Sequence, residues 1–375
     1  MIGSAESKAQ IGLNLLFLRP GRVGGTETYA RGLVEGFLSL RLPYRFSLFL
    51  NSEAYPTFAE LDSEPNFQRI LCSVPLNPSL RHVWEQIYFP GLIERHSLDL
   101  FHSLANVIPF RTRCKTIVTI HDLLYKVFPS GISFMRRNVL GALTTASARR
   151  ADLIISVSHN SQNDIEKYLH IPGAIIHVTP EGPGQTLQVV APWEEVRRKY
   201  QVPEPYFLTV GTAPHKRVDR IVLAARILRE ERKFPVSVVT TSPTRDTPGG
   251  NGIVKHFGFV PPEDLACLYK HAIALICFSD MEGFGLTPLE AMGLGTPVVA
   301  SNAAAIPEVF GDGGIIVEHG DTTALAEAMW NIAIDKRLQT EVRERGHARV
   351  ANFSWMGCAA ETARAYAEVL GKGTR

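Results

Sequence analysis

Short apolar runs alternate along the chain with stretches whose apolar residues recur every three to four positions. In the front half the runs are 11–18, 45–50, 69–74, 98–103, 116–122, 153–158 and 175–180. In the back half they are 206–211, 236–241, 273–278, 297–301 and 314–318. Each reads as a strand, because runs this short and this apolar fit strands buried on both faces. Helical periodicity fills 26–39, 133–148, 161–168, 218–231, 262–271 and 323–334. Strand and helix in alternation predict an α/β fold with parallel sheets covered on both sides. The stretch 181–205, rich in Pro and Gly, breaks the rhythm and predicts a link between two doubly wound domains. The expected boundaries are 1–182, a linker 183–205, 206–352, and a last segment 353–375. That segment holds one amphipathic helix, started by Ser354 and carrying Trp355, Ala359, Ala363, Tyr366 and Leu370 near one face.

A length of 375 residues suits two domains. With 45% hydrophobic and 20% charged residues the chain is globular in composition. A net charge of +2 points to no polyanionic partner, and no nucleic acid is expected. Cys72, Cys114, Cys267, Cys277 and Cys358 are odd in number and lack metal spacing, which predicts a reducing, cytoplasmic setting. No run of ~18 apolar residues predicts a spanning helix, and the opening MIGSAESKAQ lacks a signal-peptide core. Membrane contact is therefore expected only at a surface.

Strand ends carry the candidate chemistry, since open parallel sheets bind ligands beyond them. The richest is 273–300: a buried strand, then Ser279 to Gly285, then a helix and the next strand. Thr287 is the expected N-cap and Pro288 the first helical residue. Thr287-Pro288-Leu289-Glu290 also fits a capping box, so Glu290 reads equally as a cap or as a carboxylate for two vicinal hydroxyls. Glu282 has no such local role, and burying it calls for a partner or a ligand. Gly283 and Gly285 allow close backbone approach, and a helix start favours phosphate. Gly24 and Gly25 open an earlier helix, as a diphosphate loop or as a tight turn, and do not form a G-x-G-x-x-G dinucleotide motif. His121 ends a strand, placed to meet a sugar hydroxyl, to move a proton or to serve the structure. Gly211 leads to Lys216 and Arg217, two cations suited to a diphosphate leaving group or to a solvated loop. Phe257-Gly258-Phe259-Val260-Pro261 offers backbone and an aromatic to a base, or is a plain loop. No D-x-D, metal-ligand cluster or G-x-S-x-G elbow appears, so no metal and no nucleophile triad are expected.

These residues resemble the retaining glycosyltransferases of family 4, the group 1 enzymes of GT-B fold. Glu282 and Glu290 flank seven residues within Glu-Gly-Phe-Gly-Leu-Thr-Pro-Leu-Glu-Ala-Met, followed by Gly-Thr-Pro-Val-Val-Ala. Val210-Gly211-Thr212 with Lys216, Phe257-Gly258-Phe259-Val260, Ser156-Val157-Ser158 and Phe353-Ser354-Trp355 also match. The resemblance implies two Rossmann-like domains facing a cleft, the acceptor on the first and a nucleotide sugar mainly on the second. It implies a last helix that crosses back onto the first domain. Glu290 would bind the ribose; Glu282 with the N–H groups of Gly283, Phe284, Gly285 and the adjoining Leu286 would hold the donor sugar. Lys216 would contact the diphosphate, Gly24 and Gly25 would approach it, and His121 would touch the sugar. Two departures stand out. Thr212-Ala213-Pro214-His215 replaces a stretch where many members carry a further cation, for which Arg217 is a candidate. Pro180-Glu181-Gly182 stands where Pro-Asn-Gly is usual.

Trp84-Glu85-Gln86, Phe101-His102-Ser103, Ile120-His121-Asp122-Leu123 and Phe128-Pro129 look most like bacterial polysaccharide mannosyl- and rhamnosyltransferases. The resemblance implies hexose transfer from GDP-mannose to a hydroxyl of a glycan or lipid-linked glycan, without a cofactor. A nucleotide-sugar epimerase of the same fold and a non-catalytic nucleotide-sugar binder are the alternatives. Arg136-Arg137 and Arg149-Arg150 around an apolar helix suit either a peripheral contact with the inner membrane face or a solvated helix with charged ends.

Overall fold

A computed structural model describes residues 8–128, 134–184, 189–241 and 252–371. Pro129, the side chain of Arg136 and the start of the linker at 185–188 lie outside the described residues. The chain divides into two compact units: Met1–Lys126 with Ile132–Gly182 and Trp355–Arg375, and Val127–Gly131 with Pro183–Ser354.

The first unit runs β1 (Ala9–Asn14), α1 (Gly25–Leu40), β2 (Tyr44–Leu50), β3 (Phe67–Leu71), α2 (Pro78–Arg95), β4 (Leu100–Ser103), β5 (Lys115–Ile120), α3 (Leu124–Val127), α4 (Phe134–Arg150), β6 (Leu153–Ser156), α5 (His159–Leu169) and β7 (Ile176–Val178). Among the described residues its sheet has seven parallel strands in the order β3-β2-β1-β4-β5-β6-β7. Several expected strands run past the sheet at their carboxyl ends. Leu15 to Leu18 stay buried but leave the ladder, because Asn51 Nδ2 donates to the Leu16 and Leu18 carbonyls and holds them as a loop. An apolar run reports burial, and here burial outlasts strand pairing.

The second unit begins with α6 (Trp193–Tyr200), inside the stretch expected to be a plain link. Trp193 stacks on His271 at 4.0 Å, and Lys199 Nζ and the Tyr200 hydroxyl both donate to Asp264, at 2.7 and 2.8 Å. These contacts make the segment part of the second unit. Then come β8 (Tyr206–Val210), α7 (Val218–Glu230), β9 (Ser237–Thr241), β10 (Val254–His256), α8 (Pro262–His271), β11 (Leu275–Cys277), α9 (Leu286–Gly293), β12 (Val298–Ser301), α10 (Ile306–Phe310), β13 (Ile315–Val317), α11 (Thr322–Ile334) and α12 (Lys336–Val350). The sheet order is β10-β9-β8-β11-β12-β13, again parallel. Its core joins Val222 and Leu228 of α7 with Leu325 and Met329 of α11. Strand β10 and helices α2 and α12 carry too weak a one-sided apolar pattern to be expected from sequence.

The last helix, α13 (Trp355–Gly371), packs on α1 within the first unit. Gly32 and Gly36 lie one turn apart on α1, and a Cβ at either would collide with α13: 2.1 Å from the Trp355 ring at Gly32, and 2.3 Å from the Trp355 carbonyl at Gly36. Absent side chains thus bring the two backbones together. Behind them the Tyr366 hydroxyl meets His102 Nδ1 at 2.7 Å, and His102 Nε2 meets Thr119 Oγ1 at 2.8 Å. Burial, helped by His121 nearby, holds His102 down to about 3, so its ring is neutral. Gly→Ala inside a helix ordinarily stabilises by about 1 kcal/mol. At Gly36 the collision with backbone opposes this by about 1–3 kcal/mol. Gly36→Ala is expected to lower the midpoint of denaturant unfolding; a raised midpoint would contradict the close packing.

Candidate functional site

In both sheets the strand order reverses beside the first strand of the unit, between β1 and β4 and between β8 and β11. A crevice opens at the carboxyl ends of strands at such a reversal, and ligands of open α/β sheets bind there.

In the second unit the loops after β8 and β11 meet at this point. Gly211 leaves β8 with φ 82°, a conformation that favours glycine. Five residues on, Lys216 Nζ donates to Glu282 Oε1 at 2.6 Å, and the Ser279 hydroxyl donates to the same oxygen at 2.7 Å. The pair is largely out of water, with side chains 18% and 14% exposed. Burial alone would raise the Glu282 carboxyl, but the Lys216 charge and these two hydrogen bonds hold it below its ordinary value, so it is ionised. Beneath it, burial pushes the Cys277 thiol up to about 12. Asp280 N–H donates to the His215 carbonyl at 2.7 Å, tying the two loops together through the backbone as well.

Arg217 sits in the same loop but turns to other carboxylates, Asp219 at 3.2 Å and Asp280 at 3.3 Å. Its charge is balanced inside the protein, beside Lys216 rather than in its manner.

The α9 start differs from the expected cap. Gly285, with φ 112°, is the N-cap; Leu286 and Thr287 are already helical, and no side chain caps the end. The Leu289 N–H donates to the Gly285 carbonyl, which fixes the first turn two residues earlier than Thr287 would. The positive φ at Gly285 lets the chain enter the helix directly from the loop, so the capping box does not form. Glu290 is therefore the fifth residue of the helix. Its Oε2 accepts from the buried Tyr269 hydroxyl at 3.3 Å, and Gly184 lies so close that a Cβ there would be 1.7 Å from Oε1. Phe284 is buried against Phe353, and Val260 is buried too, so these two present backbone rather than side chain. Gly283 and Leu286 are half-buried beside them, whereas Phe259 stands 68% exposed after Gly258.

In the first unit Gly24 has φ 60° and open space where a Cβ would be. Its conformation requires glycine, and the space beside it leaves room for close approach; Gly25 then starts α1. His121 follows β5. Its Nε2 lies 3.0 Å from the Leu104 carbonyl, which only accepts, so Nε2 carries a proton. Its Nδ1 lies 3.3 Å from Glu181 Oε1. Both nitrogens are thus engaged by the protein. Burial opposes charge on His121, but the Glu181 carboxylate outweighs it and raises the imidazole above its ordinary value. Glu181 is itself buried, and its Oε2 has no hydrogen-bond partner among the described residues.

Two family models match this chain. Glycosyltransferase Family 4 matches residues 23–182, and Glycosyl transferases group 1 matches 204–335; together they take in most of its length. The chain belongs to the group 1, family 4 glycosyltransferases. It is a retaining enzyme of GT-B fold with a nucleotide-sugar donor. It is 28% identical over 298 residues to O-antigen chain mannosyltransferase B of Escherichia coli, covering 71% of this chain and 74% of that one. It is 24% identical over 294 residues to the serotype-specific mannosyltransferase WbdA of Escherichia coli, covering 73% of this chain but only 35% of that protein's length. Its fold is that of sucrose-phosphate synthase from Thermosynechococcus elongatus, with a TM-score of 0.75, 20% identity and coverage of 98% and 100%.

Two features of this glycosyltransferase were not assigned a role from sequence. In sequence Glu181 is only a departure from Pro-Asn-Gly, whereas in the fold it is the carboxylate beside His121 Nδ1. Helix α2 places Arg81, His82 and Glu85 beside His121 in one pocket. Its signal was Asn77-Pro78, an N-cap followed by Pro at the first position; Asn77 Oδ1 indeed accepts from Ser79 and Leu80 N–H at 3.0 and 3.3 Å.

The His121–Glu181 pair has a definite sign. A neighbouring carboxylate favours imidazolium, and without it burial, which disfavours charge, is opposed only by the Leu104 carbonyl and the Asp122 charge. In Glu181→Gln the His121 midpoint, followed by the ring C–H resonance in NMR titration, is expected to fall from its wild-type value, which lies above the ordinary one. An unchanged midpoint would show that the ion pair does not control His121.

Proposed function

We propose that this glycosyltransferase moves mannose from GDP-mannose to a hydroxyl of a glycan or lipid-linked glycan. The observation that carries the donor reading is the Lys216–Glu282 pair at the β8/β11 reversal. The choice of mannose is supported by two relatives that are themselves mannosyltransferases. Glu282 Oε1 is occupied by Lys216 and Ser279, which leaves Oε2 to accept from hydroxyls of the donor sugar. The backbone of Gly283, Phe284 and Gly285 lies beside it, at the start of α9, where N–H groups favour negative charge. Lys216 brings a positive charge to the β8/β11 reversal, where it meets the diphosphate, whose charge grows as the glycosidic bond breaks. Glu290, oriented by Tyr269, takes the ribose hydroxyls, and Phe259 lies against the base. Attack comes on the face the diphosphate leaves, with a phosphate oxygen accepting the acceptor's proton.

A thermal-shift screen across GDP-, UDP- and dTDP-sugars tests the donor. GDP-mannose at ~100 times its dissociation constant adds about 2.7 kcal/mol of stability. Lys216→Ala is expected to slow transfer by about 10²–10³-fold, the loss typical of one group stabilising developing charge. A shift with another donor but none with GDP-mannose would overturn the sugar assignment; full transfer rate in Lys216→Ala would overturn the site.

The lipid-linked acceptor draws on the first unit's surface. Phe134 and Met135 at the start of α4 are 72% and 77% exposed, and Arg149 and Arg150 at its end are exposed too. Leu80, Val83, Ile87 and Tyr88 form an exposed apolar stripe on α2. Exposed apolar and basic side chains suit an anionic lipid interface. Among the described residues no helix is long and apolar enough to cross a membrane. Co-sedimentation with vesicles containing phosphatidylglycerol is expected for the wild type and to fall in Phe134→Glu with Ile87→Glu. Equal sedimentation of both proteins would remove the peripheral-contact reading.

A further inference from the structure

The chain enters the second unit at Pro183, and the next residue, Gly184, lies against the carboxylate of Glu290. A Cβ on Gly184 would stand 1.7 Å from Glu290 Oε1, 2.6 Å from its Cδ and 2.9 Å from its Cγ. No residue but glycine fits there while Glu290 keeps its place. The φ of Gly184 lies outside the left-handed region, so a left-handed turn is not what calls for glycine. The space taken by Glu290 is.

The carboxylate is held from both sides. Its Oε2 accepts from the Tyr269 hydroxyl at 3.3 Å, and its Oε1 meets the backbone of Gly184. Tyr269 is fully buried on α8. Burial, together with the Glu290 charge, pushes its hydroxyl well above the ordinary value, so it keeps its proton and donates. A side chain fixed before its ligand arrives loses less freedom on binding. A methyl group at 184 would end this arrangement. Pro183 fixes its own φ and stiffens the approach to Gly184. Glu290 Oε1, by contrast, is the far end of a flexible side chain, and the residue is only half-buried. Glu290 therefore swings away while the chain keeps its fold. At Gly36 the added Cβ would instead strike a backbone carbonyl.

We propose that Gly184 is a positioning residue for the nucleotide: its bare backbone holds the Glu290 carboxylate against Tyr269, where it meets the two ribose hydroxyls. Gly184 touches no reacting atom and acts through Glu290. The assignment rests on the reading of Glu290 as the ribose carboxylate. It adds the residue that aims that carboxylate, at the point where the chain passes from one unit to the next.

Calorimetric titration of the full chain tests this with GDP and UDP, each beside its dideoxy form, which lacks both vicinal hydroxyls. The wild type is expected to bind the better of GDP and UDP about tenfold tighter than the matching dideoxy nucleotide, the worth of hydrogen bonds to a charged group. In Gly184→Ala that preference is expected to fall to about threefold or less, because the carboxylate no longer meets the hydroxyls. The dideoxy nucleotide is expected to bind this variant as it binds the wild type, which shows that the variant is folded. Glu290→Ala is expected to lose the same preference. Gly184→Ala in the Glu290→Ala background is expected to change nothing further, since substitutions acting through one group do not add. A preference lost in Glu290→Ala but kept in Gly184→Ala would overturn the role of Gly184 and leave the ribose reading standing. Equal weakening of both nucleotides in Gly184→Ala, or an added loss in the double variant, would overturn it too. A preference that Glu290→Ala leaves intact would overturn the ribose reading and the role of Gly184 together.

Discussion

The second unit's site depends on one ion pair, Lys216 with Glu282 at 2.6 Å. Taking a carboxylate and an ammonium out of water costs several kcal/mol each, and only close geometry with further hydrogen bonds offsets it. Here the ammonium and the Ser279 hydroxyl converge on one carboxylate oxygen. The pair joins loops 66 residues apart in sequence, and it does so at the strand reversal where a ligand crevice must open. The neighbouring Arg217–Asp280 pair and the Asp280–His215 backbone bond brace the same two loops. A site built on loops is then held with the precision of the sheet beneath it.

The first unit solves the same problem with different means. Its reversal lies between β1 and β4, and its two charged clusters, His121 with Glu181 and Arg81 with Glu85, are internally balanced. Both rest on a rigid base. Gly32 and Gly36 let α13 press onto α1, and Tyr366, His102, Thr119 and Tyr29 form a hydrogen-bonded chain from that helix through β4 and β5. Thr119 lies two residues before His121, so the returning helix sets the strand that aims the histidine.

Much of this was legible in the chain itself. Doubly buried strands announce themselves as short apolar runs, and every strand expected in the first unit is found there, shifted by a few residues at its ends. Glu282 stands out in sequence because no local role explains it, and its partner is Lys216, a candidate in another loop. What stayed hidden has physical reasons. Helix α2 buries Phe89 and Ile93 on one side and exposes Leu80, Val83 and Ile87 on another, so no single apolar face marks it. Helix α6 hid in a stretch whose Pro and Gly content suggested a bare link. Partners distant in sequence, such as Glu181 for His121, leave no spacing signal at all.

The correction at α9 alters how its two acids should be weighed. A capping box would have given Glu290 a duty in the fold, so its loss would have confounded binding with stability. With Gly285 as N-cap the helix starts without help from Glu290. The carboxylate instead stands on the helix body, held by Tyr269 and covered by the backbone of Gly184. Glu282, by contrast, is now the acid with the larger structural debt, because its charge meets the Lys216 ammonium at 2.6 Å in a largely buried place. A fully buried pair broken by removing one partner loses about 3–5 kcal/mol, and the partial exposure here lowers that figure. Glu290 therefore becomes the cleaner probe of binding, and Glu282 the residue whose substitution must be read together with stability, the reverse of what local sequence alone implies.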